Sequence, residues 1–205
     1  MTEHVAERKQ RMTLTDLLRT RFKGVLDRIG AFLNRLGLMP NTVTILGLVG
    51  NAVGAYFLAL GHMTIGGIII LLMGPIDALD GTMARLRGEP TEFGAFVDSV
   101  TDRYSELLIF GGLLYYYLVQ GNVLMVMLAF AASAGSVLVS YTRARAQSLG
   151  VETKVGILTR LERYLVLTPA LVFDLPHVAL WIMAILTNLT AVQRILDVRS
   201  KARRL

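Results

Sequence analysis

Six long apolar runs set the terms for this chain. They cover about residues 42–60, 63–86, 92–119, 123–147, 158–173 and 177–195. A helix of about twenty residues crosses a bilayer core near 30 Å thick, and several of the runs reach that length. Inside lipid a backbone must pair its own N–H and C=O groups, so such runs read as helices. The expected fold is all-α: a polytopic membrane protein with six transmembrane helices. The 205 residues are 54% hydrophobic and average +0.55 in mean hydropathy. With no internal repeat and no low-complexity linker, residues 1–205 read as a single membrane domain, its bundle spanning 42–195. Short breaks separate the runs. Pro40 closes what precedes it, and Asn41 or Thr42 is expected to cap the first span. Gly61-His62, Gln120-Gly121-Asn122 and Asp174-Leu175-Pro176 form turns, and residues 87–91 form a polar loop.

Charge orients the spans. Of the 21 Lys and Arg, eight precede Pro40, and the rest gather around the ends of the second, fourth and sixth runs. The turns after the first, third and fifth runs hold none. Positive residues stay on the cytoplasmic side, so both termini are expected there, in a multi-pass protein of the cell membrane. A net charge of +6 suits an anionic membrane surface better than nucleic acid, given the apolar runs. Without cysteine there is neither a disulfide framework nor thiol chemistry. No apolar signal-peptide core occupies the first forty residues.

Residues 1–13 are polar and expected to fray. From Leu14 the pattern changes. Leu14, Leu18, Phe22, Val25, Ile29, Phe32, Leu33 and Leu36 recur at helical spacing, among Arg19, Arg21, Lys23, Arg28 and Arg35. This predicts an amphipathic helix over 14–37 lying in the membrane interface. An ordinary soluble helix is the plainer alternative, and the apolar run that follows favours the interface.

The chemistry concentrates in Asp77 to Asp102, DALDGTMARLRGEPTEFGAFVDSVTD. Asp77 and Asp80 are three apart, and Asp98 and Asp102 four apart, so each pair shares a helix face. Both pairs sit at the edges of apolar runs, where ionised carboxylates need a cavity, an interior or a cation. Hard divalent cations such as Mg²⁺ take oxygen ligands. Gly81, Ala84 and Gly94 leave room beside them for a bulky ligand, and Arg85 suits a phosphate. Helix-end caps and surface acids are the bland reading. The full set of residue types at fixed spacing argues against it. Four carboxylates around two metals suit chemistry at a phosphoryl centre. No P-loop is present. His4, His62 and His177 are scattered, which leaves a histidine metal site or a Ser-His-Asp triad unsupported.

The pattern D-x2-D-G-x2-A-R-x8-G-x3-D-x3-D resembles the signature of the CDP-alcohol phosphatidyltransferases at every motif position. The resemblance implies displacement of CMP from a CDP-linked lipid, such as CDP-diacylglycerol, by an alcohol. It implies that Asp77, Asp80 and Asp98 are metal ligands, and that Asp102 is both ligand and general base. It implies Mg²⁺ or Mn²⁺, two per site, and a homodimer. Gly81, Ala84 and Gly94 match positions that receive the cytidine nucleotide, and Arg85 one near its phosphates. Asn41 and Thr44, in the looser match before and within the first span, join the expected CDP-lipid site.

The acceptor must lie beside the same metals, at the other cytoplasmic span ends. These carry Arg143, Arg145, Arg160, Arg163 and Arg194. Guanidinium groups bind phosphate bidentately, so converging arginines fit a phosphorylated acceptor. Positive-inside charge and headgroup contacts are the alternative for each one. SYTRARAQ, RLER, VQR and Asp102-Arg103 followed by Ser105-Glu106 resemble bacterial phosphatidylinositol phosphate synthases and their archaeal relatives. In that subfamily basic residues matching Arg143, Arg163 and Arg194 hold the acceptor phosphate. The chain departs from it where Arg143 replaces a frequent lysine and Leu161 a frequent proline. Inositol 1-phosphate is the expected acceptor, and glycerol 3-phosphate would satisfy the same arginines. Two other classes compete. Intramembrane prenyltransferases resemble longer chains with widely separated acidic motifs. A cation transporter would leave Gly81, Ala84 and Arg85 without a role.

Overall fold

The structure is a computed structural model and describes residues 14–88, 90–153 and 155–203. The polar lead-in expected over 1–13 lies outside the described residues. Among the described residues all regular structure is helical: α1 (Leu14–Arg35), α2 (Pro40–Ala59), α3 (Met63–Arg87), α4 (Glu92–Val119), α5 (Val123–Ser148), α6 (Arg160–Val172) and α7 (Pro176–Ala202).

Four of them, α2, α3, α5 and α7, are long and apolar enough to cross a membrane. With 28 residues, α4 has the length as well. Its first fifteen residues, however, carry Glu92, Asp98, Asp102, Arg103 and Glu106, which dilute its hydropathy. The expected fifth span is shorter than its apolar run. α6 has 13 residues, about 20 Å at 1.5 Å per residue. The sixth helix extends further than expected, to Ala202, and within that extension Lys201 pairs with Asp197 one turn back at 2.7 Å. The start of α2 also differs. Pro40 occupies its first turn, and neither Asn41 nor Thr42 caps it. Proline suits that turn because its missing N–H has no helical partner there.

Five helix ends close in the same way. The residue after a left-handed one returns its N–H to the carbonyl five residues back, as a Schellman end requires. The bonds are Leu38 to Leu33 at 3.2 Å, His62 to Phe57 at 2.9 Å, Asn122 to Tyr117 at 3.0 Å, Val151 to Ala146 at 2.9 Å and Leu175 to Ala170 at 2.7 Å. Glycine supplies four of the left-handed residues, and Asp174, at φ 57°, supplies the fifth.

The larger apolar cluster lies at the end of the bundle away from the acidic residues. Leu58, Ile70, Phe110, Leu113, Leu171, Leu180 and Met183 are its largest fully covered members. Along α2 and α3 the backbones touch: a Cβ on Gly66 would stand 2.8 Å from the Gly54 carbonyl. Outside this core, large apolar side chains such as Val49, Leu72, Phe130 and Ile185 are exposed. A belt of that kind suits lipid rather than water.

α1 rests on α3 through one edge. Leu26 and Leu33 pack against a second cluster of Val43, Leu79 and Met83. Arg87 of α3 donates to Asn34 Oδ1 and to the Leu38 carbonyl, each at 2.7 Å. Phe22, Val25, Ile29 and Phe32 remain exposed.

Candidate active site

The second halves of α3 and the first turns of α4 bring the four motif aspartates together. Asp80 and Asp102 are buried, while Asp77 and Asp98 are half-buried. All four lie within electrostatic range of the Arg160 guanidinium at the start of α6. Arg160 Nη2 donates to Asp102 Oδ1 and sits 3.5 Å from Asp77 Oδ2. Arg160 therefore belongs to the acidic cluster, and not to the arginine group in which it was expected. From α2, the Thr44 hydroxyl donates to Asp80 Oδ2 at 2.6 Å, and the Gly81 N–H donates to Asp80 Oδ1 at 2.5 Å.

Among the described residues no three acidic or histidine groups are already drawn onto one point as an ion's ligands. Arg160 reaches between the acids instead. The donor set nevertheless fits a hard cation. Four carboxylates face two guanidiniums, Arg160 and Arg103, the latter 3.9 Å from Asp102 Oδ2 and shared with Glu106, so the cluster keeps an excess of negative charge, and all its donors are oxygen.

Several expected nucleotide residues surround this cluster. Asn41, exposed at the start of α2, faces Gly94 in the first turn of α4; its Oδ1 stands 3.7 Å from where a Gly94 Cβ would be. Gly94 N–H also bonds the Thr91 hydroxyl that caps α4, at 3.0 Å. Arg85 lies over Gly81, with Nη1 3.6 Å from the place of a Cβ there. Its Nη2 donates to Thr82 Oγ1 at 2.9 Å. Ala84, half-buried, follows on the same helix. Thr44 was expected to serve the CDP-lipid, but its hydroxyl is committed to Asp80.

A second cluster is basic. Arg194 lies within electrostatic range of Arg143 and Arg163, so three of the five expected acceptor arginines do converge, from α5, α6 and α7. Two of them are already engaged. Arg163 is 2% exposed and grips Glu106 Oε1 through Nη2 at 2.8 Å and Nε at 3.2 Å. Arg194 is 3% exposed and donates to the Val139 carbonyl at 2.5 Å and the Val155 carbonyl at 3.0 Å. Arg143 is exposed. Arg145 is also exposed and donates to Ser148 Oγ on its own helix at 3.2 Å.

Glu106 joins the two clusters. It stands one turn beyond Asp102 on α4, and its second oxygen is 3.5 Å from Arg103 Nη1. Arg103 in turn donates to Ser140 of α5. Sequence reasoning missed Gly47. It faces Asp77 from α2, where a Cβ would stand 2.5 Å from Asp77 Oδ1. Its position three residues after Thr44, on the same helical face, was the available signal.

Apolar helices, with acidic and basic clusters side by side at one end, make a membrane protein with a charge-lined polar site. The chain belongs to the CDP-alcohol phosphatidyltransferase family, whose profile matches residues 37–192. It is a transferase of phospholipid biosynthesis. Among curated relatives, the phosphatidylinositol phosphate synthase of Streptomyces avermitilis is 38% identical over 205 aligned positions, covering 92% of this chain and 84% of that one. The archaetidylinositol phosphate synthase of Pyrococcus horikoshii is 35% identical, covering 90% and 96%. Among solved structures, Mycobacterium tuberculosis phosphatidylinositol phosphate synthase with CDP-DAG bound superposes with a TM-score of 0.80 at 30% identity, covering 85% of this chain and 93% of that one. The same enzyme in complex with manganese and citrate also gives 0.80, covering 84% and 88%.

Proposed function

We propose that this enzyme transfers the phosphatidyl group of CDP-diacylglycerol to the hydroxyl of inositol 1-phosphate, releasing CMP. The observation that carries the reading is the pair of clusters that Glu106 links: carboxylates for a metal-bound nucleotide, arginines for an acceptor phosphate. The names of the relatives support the same acceptor.

In this reading Asp77, Asp80, Asp98 and Asp102 hold two divalent ions, Mg²⁺ or Mn²⁺. Such ions supply charge neutralisation of a pyrophosphate. Asn41, Gly81, Ala84, Arg85 and Gly94 receive the CDP end of the lipid, with Thr44 holding Asp80 in place. The acceptor hydroxyl bonds to the lipid-linked phosphorus, the bond to the CMP oxygen breaks, and the hydroxyl proton goes to Asp102. Arg143 presents the most open guanidinium to the acceptor phosphate, backed by Arg163 and Arg194. Arg160, within bonding reach of Asp77 and Asp102, compensates the acids before the ions arrive. Arg145 contributes general positive potential.

The membrane arrangement completes the reading. The chain is one domain that crosses the membrane six times, with α1 in the interface and both termini and the site on the cytoplasmic side. Turns at Gly61, Gly121 and Asp174 without Lys or Arg support this. Cysteines placed there should label from outside in sealed cells; labelling from the cytoplasm alone would reverse the topology. The family resemblance supports a homodimer.

The deciding experiment incubates purified protein with CDP-diacylglycerol, Mg²⁺ or Mn²⁺, and a panel of alcohols, and measures CMP. Release with inositol 1-phosphate alone is expected. Release with glycerol 3-phosphate alone would keep the site and replace the acceptor.

A further inference from the structure

Pro75 interrupts α3 two residues before Asp77. Proline has no N–H, so the carbonyl four residues back loses its helical partner. Here that carbonyl belongs to Leu71. A different helix supplies the missing donor: the Tyr164 hydroxyl of α6 lies 2.6 Å from the Leu71 carbonyl and 3.3 Å from that of Ile70. Gly74 makes the approach possible, because a Cβ there would strike the Tyr164 phenol.

This bond is one of three contacts along an antiparallel pairing of α3 and α6. At one end the backbones touch: a Cβ on Gly67 would stand 2.7 Å from Val172 N. In the middle, Tyr164 meets residues 70–74. At the other end, Arg160 meets Asp77. Arg160 and Tyr164 are four apart and share a helix face. Their contacts bracket the proline, one on each side. A proline bend is a soft point whose angle depends on what replaces the lost hydrogen bond.

We propose that Tyr164 is a positioning residue for the metal-binding carboxylates. By donating to the carbonyl that Pro75 leaves unpaired, it fixes the bend of α3. The bend directs Asp77 and Asp80 toward Asp98 and Asp102 on α4. This inference rests on the metal reading of those carboxylates given above. A purely structural Tyr164 would satisfy a carbonyl and do nothing more, and a second substitution separates the two roles. Pro75→Ala returns an N–H to α3, which pairs the Leu71 carbonyl from within the helix and removes the need for Tyr164.

The test uses the full-length protein in three forms: wild type, Tyr164→Phe, and Tyr164→Phe with Pro75→Ala. Mn²⁺ binding in the presence of CDP is followed by loss of the free-ion paramagnetic resonance signal, beside thermal unfolding. Tyr164→Phe should lower Tm and weaken Mn²⁺ binding about tenfold, the equivalent of one hydrogen bond. The double variant should recover Tm while Mn²⁺ binding stays weak. Recovery of both together would overturn the proposal, as would unchanged Mn²⁺ affinity in Tyr164→Phe. If Tyr164→Phe alone fails to fold, the double variant decides: weak binding supports the proposal, and wild-type binding overturns it. Wild-type protein that binds no Mn²⁺ with CDP present would bring down the metal reading and this inference together.

Discussion

The acidic and the arginine clusters lie side by side but are held in opposite ways. Asp77, Asp80, Asp98 and Asp102 come from two helices and have few committed partners: Thr44, the Gly81 N–H, Arg160 and, at 3.9 Å, Arg103. Their charges are under-compensated. Arg163 and Arg194 are almost wholly covered and fully occupied, by a carboxylate and by backbone carbonyls. The first cluster carries an excess of negative charge that a cation would meet. The second is also part of the frame: its guanidiniums tie α6 to α4 and α7 to α5, while Arg143 is exposed. Substitutions should therefore separate the two by the kind of damage they do.

The largest effect is expected at Asp102, the proposed base. Asp102→Asn should lower CMP release by about 10²–10⁴-fold. Removing one of several clustered like charges should leave Tm unchanged or raised. A variant that unfolds early instead would mean that the acids, too, are structural.

Arg163→Gln should do the reverse of the acid variant. It removes the closer of the two guanidiniums paired with Glu106 and leaves Arg103 at 3.5 Å, a loss of about 1.5–3 kcal/mol. Thermal unfolding in detergent should show it, along with reduced activity toward every acceptor. Wild-type stability would remove the contrast between the clusters.

Arg143→Gln should sharpen it. The side chain is exposed, so Tm should hold. The KM for inositol 1-phosphate should rise about ten- to hundredfold, with that for CDP-diacylglycerol unchanged. A parallel rise for both substrates would assign Arg143 to the membrane surface.

The smallest expected effect tests the fit of α2 against the acids. Gly47→Ala puts a methyl group 2.5 Å from Asp77 Oδ1. Overpacking of about 1–3 kcal/mol, taken up by moving Asp77, should lower turnover by about tenfold. Turnover equal to wild type would show that Asp77 has room to spare.

The acidic cluster was legible because its logic is local. Spacings of three and four on a helix place side chains together whatever the rest of the fold does. Most helix limits were legible too, because Gly61, Gly121 and Asp174 mark turns as strongly as the apolar runs mark helices. The arginine cluster was legible only in part, since its members meet through the packing of three helices. Spacing alone could not tell that Arg160 would swing to the aspartates, or that Arg163 would be taken by Glu106. The length of α6 was hidden for a related reason: its apolar run includes Leu158, which is buried in the loop before the helix starts. Tyr164 and Gly47 escaped notice because their partners, a carbonyl and a carboxylate, lie on other helices.

Arg160 follows Asp77 by 83 residues, and this separation matters while the chain is being made. At about 5–20 residues per second, the ribosome delivers Asp77 roughly 4–17 s before its counter-charge. Through that interval α3 and α4 hold carboxylates at the membrane margin with only Arg103, 3.9 Å from Asp102, to meet them. Protons, water or free divalent ions must shield them until α6 arrives. A nascent chain truncated before Arg160 should therefore be an easy substrate for membrane quality control, and the last two helices decide whether the site survives its own biogenesis.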